Sequence, residues 1–411
     1  MNIALFKGIL IKILYTLSKF SPRNHNKAVF GSYKNRFTDN AKYLYLHWQQ
    51  TRFIRNIWIS GDKALINTLN KQGMEAYHRR SIKGIYHALT AKYFFYNSYI
   101  GDVNQYFANG AIKVNLWHGS PLKRIEFDIV KGPLSKVYHP KKQSYNLLHH
   151  QEYTPPDIIL SPSKLTDKIF CSAFKLSTEA LLRSTSPRID FHHRYPQQQK
   201  TKQDIFNHMN IKETPESHLL LYTPSWRDKY QDKNPYKTAF DWETLSNKLV
   251  KSNSLLLIRL HPNEIHLAKE LEQYNNVLDI SHWEDVYSIL GSVDLLITDY
   301  SSLFIDALQY NVPVIFYRFD KEWYESQCRE NYDFVEKISG IGPEYTQFDE
   351  LLVALNLEEK EKIKSDQHLP PYSVCHPFHS AYEDAKQHFW EPSHKDAFEH
   401  IETYVNQSQS R

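Results

Sequence analysis

Residues Leu296 to Tyr317 read L-I-T-D-Y-S-S-L-F-I-D-A-L-Q-Y-N-V-P-V-I-F-Y, and their order of apolar and polar positions decides the fold class. The run Val293–Thr298 reads as a buried strand, and Ser301 and Ser302 stand where helix N-cap hydroxyls belong. A helix is expected to continue to about Tyr310, where Asn311 and Pro313 end it, and Val314–Tyr317 forms the next strand. A hydroxyl-rich turn between a strand's carboxyl end and a helix's start offers unpaired N–H groups and a positive dipole end, which suits a phosphate. The plainer reading of these residues is an ordinary capped helix in an α/β domain.

The alternation extends outward from this stretch. Ala28–Ser32, Asn56–Ser60, Lys92–Tyr99, Lys113–Trp117 and Asp157–Ser161 read as strands, and Asp39–Gln50, Asp62–Lys71 and Ser163–Phe174 as helices. Regular periodicity lapses over Ser186–Gln203. Leu219–Thr223, Leu255–Leu260 and Val277–Asp279 then precede the strands of the opening stretch. Alternating strands and helices imply parallel sheets, whose ligands collect at the strands' carboxyl ends. The expected architecture is α/β, with two similar parallel-sheet domains facing a cleft. They span 28–190 and 191–375, between a lead-in at 1–27 and a helical segment at 376–411.

Composition agrees with two globular domains. The chain has 411 residues, 41% hydrophobic and 23% charged, inside the ordinary range for folded proteins. A formal net charge of +4 is compatible with an anionic substrate or membrane surface and too weak to imply nucleic acid. Cys171, Cys328 and Cys375 lack metal-ligand spacing, and their odd number favours a reducing compartment. Ile3–Phe20 is apolar but interrupted by Lys7, Lys12 and Lys19. Those charges exclude a signal-peptide core and a spanning helix, and fit an amphipathic helix lying on an anionic leaflet, with Arg23 and Lys27 continuing the basic character. A core helix of the first domain is the alternative.

Four loops after strands carry chemistry. In N-L-W-H-G-S-P-L-K-R, His118 follows a strand directly, Gly119 permits a tight turn, and Lys123 and Arg124 add charge. A histidine there can take a proton from an attacking hydroxyl near neutral pH, although many positioned histidines serve only as structural donors. In L-Y-T-P-S-W-R-D, Arg227 suits a bidentate grip on phosphate, or a surface pair with Asp228. In I-R-L-H-P-N-E, His261 follows a strongly apolar strand and shares a face with Arg259. The fourth loop is T-D-Y-S-S, with Asp299, Ser301 and Ser302. No zinc spacing, P-loop, G-x-G-x-x-G or G-x-S-x-G occurs, so hydride transfer and serine hydrolysis lose their usual signatures.

W-H-G-S-P-L-K, Y-T-P-S-W-R-D, R-L-H-P and T-D-Y-S-S-L-F-I-D-A, in this order, resemble the signature blocks of the CDP-glycerol glycerophosphotransferase family, the teichoic-acid primases and polymerases. F-G-S-Y-K-N-R-F-T-D-N-A-K-Y-L-Y, from Phe30 to Tyr45, also resembles that family's amino-terminal domain. The resemblance implies a GT-B-like fold of two Rossmann-like domains with peripheral membrane attachment, at the cytoplasmic face of the plasma membrane. It implies transfer of a polyol phosphate from CDP-glycerol or CDP-ribitol to a polymer or lipid-linked hydroxyl, releasing CMP.

Carried over position by position, it makes His118 the base for the acceptor hydroxyl. Arg227, His261, Ser301 and Ser302 become contacts to the donor pyrophosphate, with Lys123, Asp299 and Asp306 also in the substrate site. No cofactor is implied, and no metal if the cationic groups do the neutralising, although Asp294, Asp299 and Asp306 leave that point open. Ser120 stands where many members carry threonine, and V-C-H-P-F-H-S-A-Y-E-D-A matches the closing segment only loosely. The rival readings are a GT-B glycosyltransferase using a nucleotide sugar and a non-catalytic membrane scaffold of polymer assembly.

Overall fold

The computed structural model describes residues 3–140, 145–211, 216–227, 234–283, 285–327, 330–338, 340–357, 375, 378–391 and 394–409. It divides into two compact units, one of Met1–Arg194 with His388–Arg411 and one of Tyr195–Gln387.

In the first unit, seven parallel strands are ordered β3-β2-β1-β4-β5-β6-β7. They are β1 (Asn24–Phe30), β2 (Arg55–Ser60), β3 (Ala76–His78), β4 (Ala91–Tyr96), β5 (Ile112–Asn115), β6 (Ile158–Ser161) and β7 (Leu181–Arg183). Helices run between most of them, because parallel neighbours need crossovers. The Asp62 carboxylate accepts from the amides of Ala64 and Leu65 to start the helix Lys63–Lys71, and Ser163 with Thr166 forms a reciprocal cap for Lys164–Phe174. The inner strands read as apolar runs because helices cover both faces. Phe30 is in register with Trp58 on one side and Phe95 on the other, and all three are fully buried.

The second unit repeats the plan with six parallel strands ordered β10-β9-β8-β11-β12-β13. These are β8 (His218–Thr223), β9 (Ser254–Ile258), β10 (Val277–Asp279), β11 (Leu295–Thr298), β12 (Val314–Tyr317) and β13 (Glu344–Tyr345). Ile297 of β11 pairs with Tyr222 and Ile315, and these residues lie in one core with Leu256, Ile258 and Trp242. In each sheet the strand order reverses beside the first strand, between β1 and β4 and between β8 and β11. Crevices at such points are where doubly wound sheets bind ligands.

Three findings differ from the sequence reading. The edge strands β3, β7 and β13 were not expected; they are two or three residues long and mostly half-buried, too short for a periodic signal. Arg23 and Lys27 do not extend a basic face. The Arg23 guanidinium turns inward to the carbonyls of Ala88, Ala91, Ser18 and Phe107, and Lys27 is buried against Thr90. The helix Ala397–Gln409 packs into the first unit rather than forming a segment of its own: Glu402 accepts from Trp48 Nε1 and pairs with His47, both at 3.1 Å. The amino-terminal helix Ile3–Ser18 exposes Phe6, Leu10, Ile13 and Leu17, spaced three and four apart, while Ile11 is buried.

Candidate active site

His118 sits on an exposed turn just past β5, and its position is set by a chain of buried asparagines. Nδ1 is 2.8 Å from the Asn97 carbonyl oxygen, with Ser98 Oγ at 3.3 Å. A carbonyl only accepts, so Nδ1 carries the proton and Nε2 is the basic nitrogen of the neutral ring. Asn97 and Ser98 follow β4 and are tied down in turn, since both their amides donate to Asp102 Oδ2, at 3.2 and 2.8 Å. Burial pushes the Asp102 carboxyl up to about 7, against the opposing pull of those amides.

The turn itself is strained. Trp117 adopts a left-handed backbone with φ 54, and Gly119 has φ 135. A non-glycine residue there costs of order 1–3 kcal/mol and persists only when its surroundings impose it. They do so twice. The Trp117 amide donates to Asn115 Oδ1 at 2.9 Å, and Asn40 Nδ2 donates to the carbonyls of Leu116 and Trp117, each at 2.9 Å. Asn40 Oδ1 accepts from Ser186 Oγ at 2.7 Å and the Arg188 amide at 3.0 Å. One buried amide thereby joins two segments, its own helix and Ser186–Arg188, to the histidine turn. Lys123 lies half-buried five positions further along the loop that His118 opens.

In the second unit, the three remaining blocks follow β8, β9 and β11, neighbours in the sheet, at their carboxyl ends. The structure brings Arg227 and Asp299 into direct contact. Arg227 Nη1 donates to Asp299 Oδ2 at 2.6 Å, while Nε and Nη2 form a fork on Asp320 at 2.8 and 3.0 Å. The Arg227 and Asp299 side chains have no exposed surface, and that of Asp320 is 4% exposed. Burial alone would lower the guanidinium's affinity for its proton; the charge of Asp299 and the hydrogen bonds to Asp320 outweigh it and raise the pKa well above the ordinary value. Asp299 Oδ1 also accepts from the Ser225 amide at 2.8 Å. Glu264 accepts from the Arg227 amide at 3.1 Å and from Tyr236 Oη at 2.7 Å, and burial raises its carboxyl above the ordinary value.

Around this buried knot the other expected residues are distributed differently. His261 is half-buried and stacks on Trp226, with ring centres 5.4 Å apart and planes 11° from parallel. Ser301 and Ser302 are half-buried at the turn after β11. Ser302 occupies the cap position with a helical backbone and no side-chain capping bond, so its hydroxyl does not do the capping the sequence suggested. Ser301 Oγ accepts only a long bond of 3.4 Å from the Leu303 amide. The helix is a short Leu303–Ala307, continued as a 3-10 turn to Tyr310 and ended by Asn311 in the left-handed region, where the sequence placed the stop. Asp306 is 2% exposed and accepts from Tyr287 Oη at 3.0 Å. Asp294, Asp299 and Asp306 have separate partners in Lys202, Arg227 and Tyr287. Among the described residues, no group of three or more His, Cys, Asp or Glu is arranged to hold a metal ion.

Sequence reasoning missed the supports: Asn40, Asn97 and Asp102 around His118, and Glu264 and Asp320 around Arg227. Asn97 offered a local signal, a polar residue directly after the apolar A-K-Y-F-F-Y, whereas Asn40 lies in the first turn of the helix Asp39–Thr51, where nothing local marks it.

Residues 13–386 match the family model described as CDP-Glycerol:Poly(glycerophosphate) glycerophosphotransferase. The chain belongs to this family. It is therefore an enzyme, a glycerophosphotransferase-family protein, as its motif blocks implied. The teichoic acid poly(glycerol phosphate) polymerase of Bacillus spizizenii is 27% identical over 383 residues, covering 88% of this chain and 92% of the relative. The teichoic acid ribitol-phosphate primase of the same organism is 25% identical over 345 residues, covering 81% and 83%. Some relatives are longer: the chain spans 32% of the Staphylococcus epidermidis poly(glycerol phosphate) polymerase. A solved structure of the wall teichoic acid polymerase TagF with CDPG superposes with a TM-score of 0.77 at 21% identity, covering 98% of this chain and 94% of that one. This likeness establishes the GT-B-like pair of Rossmann-type domains for the glycerophosphotransferase described here.

Proposed function

We propose that this chain transfers glycerol phosphate, or alternatively ribitol phosphate, from a CDP-activated donor to a hydroxyl of a lipid-linked or growing cell-surface polymer, of teichoic-acid or capsule type. The observation that carries the proposal is the bond from His118 Nδ1 to the Asn97 carbonyl, which supports Nε2, on an exposed turn, as the ring nitrogen able to take a proton. In this reading Nε2 takes the proton of the acceptor hydroxyl as its oxygen attacks the phosphorus bearing the polyol. A new P–O bond forms, the P–O bond to CMP breaks, and CMP leaves with the electron pair. Charge grows on the transferred group and on CMP, and cations with N–H and O–H donors stabilise it. His261, Ser301, Ser302 and Lys123 are assigned to that task.

Arg227, Asp299 and Asp306 receive another role. With four of its five guanidinium N–H groups given to carboxylates or the Ser225 carbonyl, Arg227 holds the loops after β8 and β11 in place, and Asp299 is the other half of that clamp. Asp306 fixes the helix of the fourth block through Tyr287. These are positioning residues for the hydroxyls and His261.

Peripheral attachment to an anionic membrane surface, at its cytoplasmic face, is part of the proposal. The apolar stripe Phe6, Leu10, Ile13 and Leu17 is exposed, with Phe20 80% exposed just beyond it. Among the described residues no helix is long and apolar enough to cross a membrane. Such a stripe, with Lys7, Lys12 and Lys19 in the same segment, suits an interfacial helix. The test is CMP release from a panel of CDP-glycerol, CDP-ribitol, UDP-sugars and GDP-sugars in the presence of a polyol-phosphate acceptor. CMP from a CDP-polyol supports the reading, and turnover of the nucleotide sugars alone replaces it with a glycosyltransferase.

A further inference from the structure

The first unit contains a cavity of about 250 Å³ that none of the four motif blocks contributes to. Five aromatic rings, of Tyr96, Tyr99, Phe127, Tyr153 and Phe174, line it together with Ser98 and Asn115. The rings are held rigidly. Tyr99 Oη bonds Glu126 at 2.8 Å and Tyr138 Oη at 2.9 Å, and Phe127 meets Tyr153 edge to face with centres 5.4 Å apart. The two polar residues are buried, 5% and 1% exposed, and also belong to the support of the catalytic turn. Ser98 Oγ is 3.3 Å from His118 Nδ1, and Asn115 binds the Ser98 carbonyl and the Trp117 amide. Each retains hydrogen-bonding capacity beyond those bonds.

Aromatic faces with a few convergent neutral donors and acceptors suit a ligand having C–H faces and hydroxyls. The charged residues described in the lining are one lysine, Lys175, and one carboxylate, Glu152, whose signs offset. A phosphate would meet no surplus of cations there. His118 does not line the cavity, so its occupant is not the reacting hydroxyl itself.

We propose that this cavity is an acceptor subsite, binding a neutral polyhydroxy unit, a polyol or sugar residue of the acceptor, next to the one that reacts. The proposal rests on the transferase reading and adds where the acceptor is gripped. Occupation presses on Ser98 and so couples acceptor binding to the orientation of His118.

Thr154, a half-buried residue of the lining, offers a way to fill the space. The full chain is compared with Thr154→Phe and Phe127→Leu in two measurements. In ligand-observed saturation-transfer NMR with ribitol and methyl glucoside as probes, the wild type shows transfer to at least one probe and Thr154→Phe abolishes it. In the transfer assay, both variants raise the acceptor KM about tenfold or more while leaving the donor KM unchanged, the pattern of lost acceptor binding. A variant that melts with the wild type yet keeps its acceptor KM and its probe signal overturns the subsite, as does a wild type that binds neither probe. Phe127→Leu, which removes bulk instead of adding it, gives the same decision if Thr154→Phe fails to fold. Absence of CMP release by the wild type from any CDP-polyol removes the transferase reading instead, and the NMR result still decides the cavity.

Discussion

Replacing Arg227 separates a phosphate ligand from a structural clamp. In the structure the guanidinium reaches Asp299 at 2.6 Å and forks onto Asp320 at 2.8 and 3.0 Å, with both partners essentially buried. Arg227→Ala leaves two carboxylates in the interior without their cation. Removing one member of a buried pair typically costs about 3–5 kcal/mol, because the remaining charge is uncompensated. For a domain of this size each kcal/mol lowers the melting temperature by about 2–4 °C, so the second unit should melt roughly 6–20 °C lower. Arg227→Lys should recover little of this, since one ammonium cannot span both carboxylates. Thermal unfolding followed by circular dichroism, alongside CDP binding by calorimetry, reads both quantities. The clamp is refuted by an Arg227→Ala protein that melts within a degree or two of the wild type and has lost its affinity for CDP.

Other outcomes follow from the same geometry. Asn40→Ala frees the strained Trp117 turn, and a shift of the base of order 1 Å is expected to lower kcat by about 100-fold while the donor KM holds; steady-state kinetics with both substrates varied checks this. Asp102 supplies a pH dependence with a definite sign. Its folded-state carboxyl is raised to about 7, so the native protein holds that proton more tightly than the unfolded chain does. The stabilisation is full below the ordinary carboxylate range and is lost as pH rises through about 7, on the order of 4 kcal/mol in all. Asp102→Asn should therefore flatten the fall in urea midpoint between pH 4 and pH 7, and an unchanged slope contradicts the assignment. Leu10→Glu with Leu17→Glu should release the protein from anionic vesicles in a sedimentation assay, whereas retention shows that the stripe is not the anchor.

The inner strands were legible because parallel sheets covered on both sides require apolar runs, and L-L-L-Y, L-L-L-I and V-I-F-Y supply them. The stop at Asn311 was legible for a local reason, since asparagine tolerates the left-handed conformation it adopts there. Edge strands such as Glu344–Tyr345 were not, having too few buried positions to mark a period. At the site, the sequence located the loops but not what each side chain spends its bonds on. Arg227 was read as a phosphate grip because an arginine beside a strand end has that capacity; its partner Asp320 lies 93 positions away, beyond any local pattern. Asn40 and Asn97 carried no assignable role for a similar reason: the Asn40 amide reaches carbonyls 76 and 77 positions away, and the Asn97 carbonyl serves a ring 21 positions later. His118 was visible as a residue, while its tautomer depended on the Asn97 carbonyl, 21 positions earlier.

The central claim is that His118 Nε2 removes the acceptor proton during polyol-phosphate transfer. The most direct measurement is CMP release from CDP-glycerol by His118→Ala at saturating donor and acceptor, with CDP affinity measured on the same preparation. The account predicts a loss of about 100-fold or more in turnover with CDP binding retained, as expected for a general base. Turnover within about threefold of the wild type, well short of a base's usual contribution, would contradict it.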